Sequence, residues 1–286
     1  MKYIKNIFVG AAIFFLFVGL ANINSNKKNI NEEIKLKALG VKIMVTDLEK
    51  AKDFYVKKLG FKINEEANSK NTIELKDKGS KLWLVKTKNV NAVESRNEAQ
   101  SILVIHVNDL EETMKRWKEK GIEFTTGMGK VGVGVSAKIQ DPFGNSLSVL
   151  QQTIVETPHF EEPQIYNFGY YFADIPSARK LFSETLQFKI RTEKYFPPAL
   201  PLSNWDESFG FMLHERKELK KSDADYYNDT QTIIVFGCVD IEKTFKFFKE
   251  AGINVLFNEP QDSQTGKYFA FDAGEGVVSE VIEIDL

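Results

Sequence analysis

Groups able to do metal or covalent chemistry are few in this 286-residue chain: three histidines, His106, His159 and His214, and one cysteine, Cys238. An imidazole can ligate a metal or exchange a proton near neutral pH. A thiolate can attack a substrate or bind a metal, but only where its surroundings favour the charged form. Cys238 lies in the apolar run 232–239, which makes it a buried, inert thiol. His159 lies among Pro158, Glu161, Glu162 and Pro163, as a solvated loop residue would. No Ser/His/Asp or Cys/His nucleophile signature is present, and only the fold could bring Ser148 to His106. The glycine-rich run Gly127-Met-Gly-Lys-Val-Gly-Val-Gly134 lacks the Lys-Ser/Thr ending of a phosphate loop and opens no helix, so it reads as a hairpin or loop. The formal net charge is −2 with no basic face, which argues against nucleic acid as a partner.

The elements that must position these groups repeat along the chain. Asp47-Leu-Glu-Lys-Ala-Lys-Asp-Phe-Tyr precedes Leu59-Gly-Phe-Lys-Ile63. Asp174-Ile-Pro-Ser-Ala-Arg-Lys-Leu-Phe precedes Leu186-Gln-Phe-Lys-Ile190, at a constant offset of 127. A second pair lies between: Asp109-Leu-Glu-Glu-Thr runs on to Gly121, and Asp240-Ile-Glu-Lys-Thr to Gly252, at an offset of 131. Each unit opens with a short, apolar, β-branched run (41–45, 102–107, 168–172 and 233–239), which reads as a strand. An Asp then stands where its carboxylate can accept the free N–H groups of a helix's first turn. Apolar residues at helical spacing follow, Leu48, Ala51, Phe54, Tyr55 and Leu59 in the first unit. Gly121 and Gly252 close two of the helices. Further strands follow at 72–75 and 82–85, at 137–140 and 146–151 around the turn Asp141-Pro-Phe-Gly-Asn145, and at 209–214, 269–271 and 277–284.

The domain reading is residues 35–152 for module one, 153–163 for a linker and 164–286 for module two. Ahead of them, Lys2 and Lys5 precede the uncharged stretch 7–20, then Ala21 and a polar spacer, 22–34. A basic start, a short apolar stretch and small residues at 19 and 21 are the parts of a secretory signal. The stretch is short of the roughly 20 residues of a membrane span. Residues 1–21 therefore read as a signal peptide, with an uncleaved anchor through 7–20 as the alternative, and the protein as exported to the periplasm or cell envelope. Its single cysteine leaves no internal disulfide.

Strand, Asp-Leu-x-x-Ala-x-x-Phe-Tyr and Leu-Gly-Phe, closed by Asp141-Pro-Phe-Gly-Asn145, resemble the module of the glyoxalase/bleomycin-resistance (vicinal oxygen chelate) superfamily. The resemblance covers residues 35–286. It implies an α+β fold, two tandem βαβββ modules forming cupped mixed sheets, paired within the chain or in a homodimer so that the cups enclose pockets. It does not settle function, because such modules serve lyases, isomerases, dioxygenases, transferases and proteins that sequester drugs. In the catalytic members a divalent metal is held by His, Gln or Glu side chains projecting inward from the strands. The resemblance places the first-strand ligands at Gly40, Ile102, Asn167 and Ile233, the last-strand ligands at Ser148 and Glu280, and the mid-sheet ligands near Trp83 and Met212. Glu280 alone is of the right type, with Asn167 a poor substitute. A metal cofactor is therefore not expected; the rearranged alternative uses His214 with Glu280.

Because side chains alternate faces along a strand, the inward sets are Gly40, Lys42, Met44; Ile102, Val104, His106; Asn167, Gly169, Tyr171; and Ile233, Val235, Gly237. Trp83, Met212 and His214 face inward by the same parity. The expected pocket residues are Met44, Trp83, His106, Asn167, Tyr171, Met212, His214 and Glu280, an apolar lining with polar tips suited to a small organic ligand. His106 and Tyr171 are the best placed to orient it. The Pro-rich segment 195–205 reads either as a lid over the second pocket or as a loop on the sheet edge. Three functions follow: a metal-independent binding or sequestering protein, a lyase- or dioxygenase-like enzyme using His214 and Glu280, or an envelope interaction domain without a ligand.

Overall fold

The four aspartates cap four helices in the computed structural model. Asp47 accepts from the backbone N–H groups of Glu49 and Lys50, Asp109 from Glu112, Asp174 from Ser177 and Asp240 from Lys243. The structure describes residues 34–285 except 68, 77–78, 88–100, 155–158, 193–198, 217–231 and 264–265. The signal or anchor segment, and all but the last residue of the polar spacer, lie outside the described residues.

Each unit is βαβββ, as the resemblance implies. The first comprises β1 (Lys37–Val45), α1 (Leu48–Lys52, continued by Asp53–Lys58), β2 (Lys62–Ile63), β3 (Thr72–Lys76) and β4 (Lys81–Lys86). The second comprises β5 (Ser101–His106), α2 (Leu110–Glu119), β6 (Gly129–Val131), β7 (Gly134–Gln140) and β8 (Ser146–Gln152). The third comprises β9 (Gln164–Phe172), α3 (Ile175–Arg179, continued by Lys180–Thr185), β10 (Lys189–Ile190), β11 (Ala199–Ser203) and β12 (Phe209–Glu215). The fourth comprises β13 (Thr232–Cys238), α4 (Ile241–Glu250), β14 (Gln261–Ser263), β15 (Gly266–Asp272) and β16 (Val278–Glu283).

The sheets cut across the two modules. One, sheet A, runs β14-β15-β16-β13-β1-β4-β3-β2 and joins the first unit to the fourth. The other, sheet B, runs β10-β11-β12-β9-β5-β8-β7-β6 and joins the second to the third. At each centre two first strands pair antiparallel, β1 with β13 and β5 with β9. Each then pairs in parallel with the last strand of its own unit.

Helices cover one face of each sheet, and these covered faces meet. Phe236 of sheet A packs against Phe182, Phe188 and Phe211 of units in sheet B, with ring centroids 6.2, 5.5 and 5.5 Å apart. Tyr170 and Ser279 share a hydroxyl hydrogen bond across the same seam. Tyr55 of α1 donates to buried Asp141 of the turn before β8 at 2.8 Å. The opposite, helix-free faces are where the inward sets lie. Two elements differ from the sequence reading. Asp53–Lys58 and Lys180–Thr185 wind as π-helix, so Phe61 N–H reaches Tyr55 O and Phe188 N–H reaches Phe182 O. The Pro-rich segment is neither lid nor edge loop where it is described: 199–203 forms β11, with Pro201 opposite Met212. Pro201 is tolerated beside β10, a two-residue edge strand.

Candidate functional site

The eight expected pocket residues divide between two faces. Met44, Trp83 and Glu280 belong to sheet A. His106, Asn167, Tyr171, Met212 and His214 belong to sheet B. Parity and register together set each row. Across sheet A, Lys42 stands opposite Trp83, which stands opposite Glu74. Val235 stands opposite Glu280, which stands opposite Ala270.

The centre of sheet A's free face is an ion pair in an apolar cup. The Lys42 ammonium bonds the Glu280 carboxylate, whose side chain is 2% exposed. Removing one partner from such a pair strands a buried charge, so the two residues depend on each other. Around them pack Trp83, Val235 and Ile282, with Leu39, Val85, Tyr268 and Ile284 half-buried beside them. Lys42 also lies 5.7 Å from the Tyr268 ring centroid. A second buried carboxylate, Glu74, accepts from Trp83 Nε1 at 2.7 Å and from Asn64 Nδ2 at 2.8 Å. Sequence reasoning placed both Lys42 and Glu280 in the cups but not their pairing, and it missed Glu74. The one signal for Glu74 was its parity with Trp83 on the adjoining strand.

On sheet B, Val104 stands opposite both Asn167 and Ser148, Ile102 opposite Gly169, and Gly169 opposite Met212. Gly169 is required there, since a Cβ would fall 2.1 Å from Met212 O. Asn167 Nδ2 donates to Met212 Sδ at 3.0 Å. His106 packs against Phe160 and Tyr166 at 4.9 and 5.3 Å, and His214 against Tyr171 at 5.5 Å. Burial lowers both imidazole pKa values, that of His214 to about 4, so both rings are neutral at pH 7. Burial raises that of Tyr171. His106 and Tyr171 are not neighbours: Ser101 pairs with Tyr170 and His106 with Gln164, so they stand at opposite ends of the β5–β9 pair. Phe160, from the linker, is a wall residue that no periodicity in the sequence marked.

These donors do not fit a divalent cation. On sheet A the single carboxylate at a resembling ligand position, Glu280, already faces the Lys42 ammonium, which would repel a second cation. Trp83 offers only a donor, and it is given to Glu74. His214 and Glu280 stand in different sheets. Among the described residues no group of three His, Cys, Asp or Glu is placed to hold a metal. Cys238 is buried and its thiol is pushed up to about 11, chiefly by burial, so it is no nucleophile.

The model of the Glyoxalase/Bleomycin resistance protein/Dioxygenase superfamily matches residues 37–149. No curated protein matches the sequence. Among solved structures, glyoxalase I from Zea mays superposes with a TM-score of 0.64 at 18% identity, over 87% of this chain and 93% of that one. A Bacillus subtilis protein whose name proposes a dioxygenase superposes with a TM-score of 0.56 at 11% identity, over 88% and 86%. At these identities the likeness is one of fold alone, and that fold spans both modules. Residues 37–149 thus match the glyoxalase/bleomycin resistance/dioxygenase superfamily, and the four units of the chain build two curled mixed sheets of the same fold.

Proposed function

We propose that this protein binds a small organic molecule without a metal, and that it does so after export to the cell envelope. One observation carries the reading: at the centre of sheet A's free face, the one suitable ligand-type carboxylate is neutralised by the chain's own ammonium, in an otherwise apolar cup. A metal centre needs converging anionic or imidazole donors. A binding cup needs apolar walls with a few fixed polar groups, and that is what both free faces supply. Export rests on Lys2, Lys5 and the apolar stretch 7–20; a retained stretch would tether the protein to the membrane.

The experiment is metal analysis of the full-length protein recovered from the cell envelope, with N-terminal sequencing of the same sample. Substoichiometric zinc, manganese, nickel and iron are expected, with a mature start at Asn22 or an intact residue 1. Stoichiometric metal that disappears in either His214→Ala or Glu280→Ala would overturn metal independence. Recovery only from the cytosol would overturn export.

A further inference from the structure

Among the described residues, four buried side-chain polar atoms have no hydrogen-bond partner, and three of them lie on sheet B's free face. They are His106 Nε2, Asn167 Oδ1 and His214 Nε2; the fourth, Trp117 Nε1, belongs to a helix. Folded proteins leave few buried polar atoms unpaired, because each then carries its full desolvation penalty. Three on one face call for a partner that is not part of the chain.

Their placement describes that partner. Asn167 stands in the middle row, opposite Val104, and His106 is the next residue of β5 on the same face. Met212 lies diagonally beyond Asn167, with His214 the next residue of β12 on that face. His106 thus lies one row from Asn167, roughly 7 Å along the strands, while His214, opposite Tyr171, lies two rows from it on the other side, roughly 13 Å along. His106 and Asn167 are only 7% and 6% exposed. Asn167 spends its N–H on a thioether, a weak acceptor, and keeps a stronger acceptor unused. Between the ends the face presents Ile102, Val104, Gly169 and Met212, with no ionisable group. The aromatic wall is held in place: Asn108 Nδ2 donates to Phe160 O at 2.5 Å, and Phe160 N–H donates to Asn108 Oδ1 at 3.3 Å. Arg216, over the Tyr171 ring at 5.4 Å, marks one end.

We propose that the free face of sheet B is the ligand site, and that it takes an uncharged, flat aromatic molecule with a hydrogen-bond donor for Asn167 Oδ1 and a polar atom for a histidine Nε2. The proposal rests on the binding reading above and assigns it to one of the two cups. An ionic ligand is disfavoured because the ionisable group of that row, Lys138, is exposed and stands three strands from Asn167, on β7. Sheet A, whose central charges satisfy one another, is not the site.

The test uses the full chain with two probes: 2-quinolinone, uncharged with one donor and one acceptor, and quinoline-2-carboxylate, its anionic relative. In the free protein, Asn167→Leu and His106→Phe replace an unpaired polar group with an apolar one. Each is expected to raise the melting temperature by about 2 °C. Each is expected to weaken 2-quinolinone binding at least about tenfold, and the carboxylate to bind the unaltered protein at least about tenfold more weakly than 2-quinolinone. The double variant Lys42→Met/Glu280→Met, which strands neither charge, and Trp83→Ala are expected to leave 2-quinolinone binding unchanged. A fall in melting temperature for both sheet B variants overturns the proposal, since the atoms would then be paired by buried water or by the chain. Probe binding that survives Asn167→Leu but is lost in Trp83→Ala moves the site to sheet A and leaves the binding reading standing. If neither probe binds, the proposed ligand class falls and metal analysis still decides the broader reading.

Discussion

His214 stands on β12 in a setting that its sequence neighbours do not announce. Burial depresses its pKa from the ordinary 6.5 to about 4, and His106 shifts the same way. The sign of the consequence follows from proton counting. Between pH 6.5 and 4 the unfolded chain binds a proton at this residue and the folded chain does not, so stability rises with pH across that window. It is fully present above 6.5 and declines as pH falls toward 4. His214→Phe is expected to flatten the pH dependence of stability there, removing on the order of 1–3 kcal/mol of its span, as read by urea denaturation at a series of pH values. An unchanged slope would mean that the imidazole is solvated. Lys42 shows the same gap between type and role. It reads as one lysine among many, and only its contact with Glu280 makes it the central cation of a cup.

At the scale of elements, the four half-units are of two kinds. In the second and fourth, α2 and α4 close at Gly121 and Gly252, both with φ of +73°. In the first and third, α1 and α3 end in π-wound turns, and the next left-handed positions are Gly60, with φ of +100°, and Gln187, with φ of +63°. Gln187 is thus a side-chain-bearing residue where the equivalent unit has glycine. Left-handed backbone costs an L-residue roughly 1–2 kcal/mol, against about 1 kcal/mol of added freedom that glycine brings to the unfolded chain. Gln187→Gly is therefore expected to be neutral to stabilising by about 0.5 kcal/mol, whereas Gly60→Gln should destabilise by about 1 kcal/mol. Chemical denaturation of both variants reads the difference. A loss of stability in Gln187→Gly would show that its side chain makes a contact worth more than the strain.

The whole molecule depends on pairing between the modules. β1 finds its antiparallel partner in β13, and β5 in β9, so every central strand pair joins residues from both halves of the chain. The seam between the helix-covered faces adds Tyr170 with Ser279, Tyr55 with Asp141, and Ala38 N–H donating to Asn204 Oδ1 at 2.9 Å. Residues 35–152 produced alone would expose the edges of both β1 and β5, which template pairing with other chains. That piece is expected to self-associate or to lack a fixed near-ultraviolet dichroism signal, while the full chain unfolds in one cooperative transition. A monomeric, natively packed 35–152 would show that the module folds on its own.

The repeat, the four capping aspartates, the closing glycines and the inward parity were legible in the sequence because each rests on local rules: a cap reaches two or three residues, a helix face recurs every three or four, and a strand alternates every two. Those rules were enough to reach the βαβββ unit and the family resemblance. They could not reach which units share a sheet, since strand pairing is decided by packing between residues distant along the chain. Nor could they show that His214 and Glu280 stand in different sheets, that Lys42 neutralises Glu280, or that a linker phenylalanine walls His106. Local chemistry named the candidate residues. Long-range packing divided them between two faces, paired the charges on one, and left the unpaired polar atoms on the other.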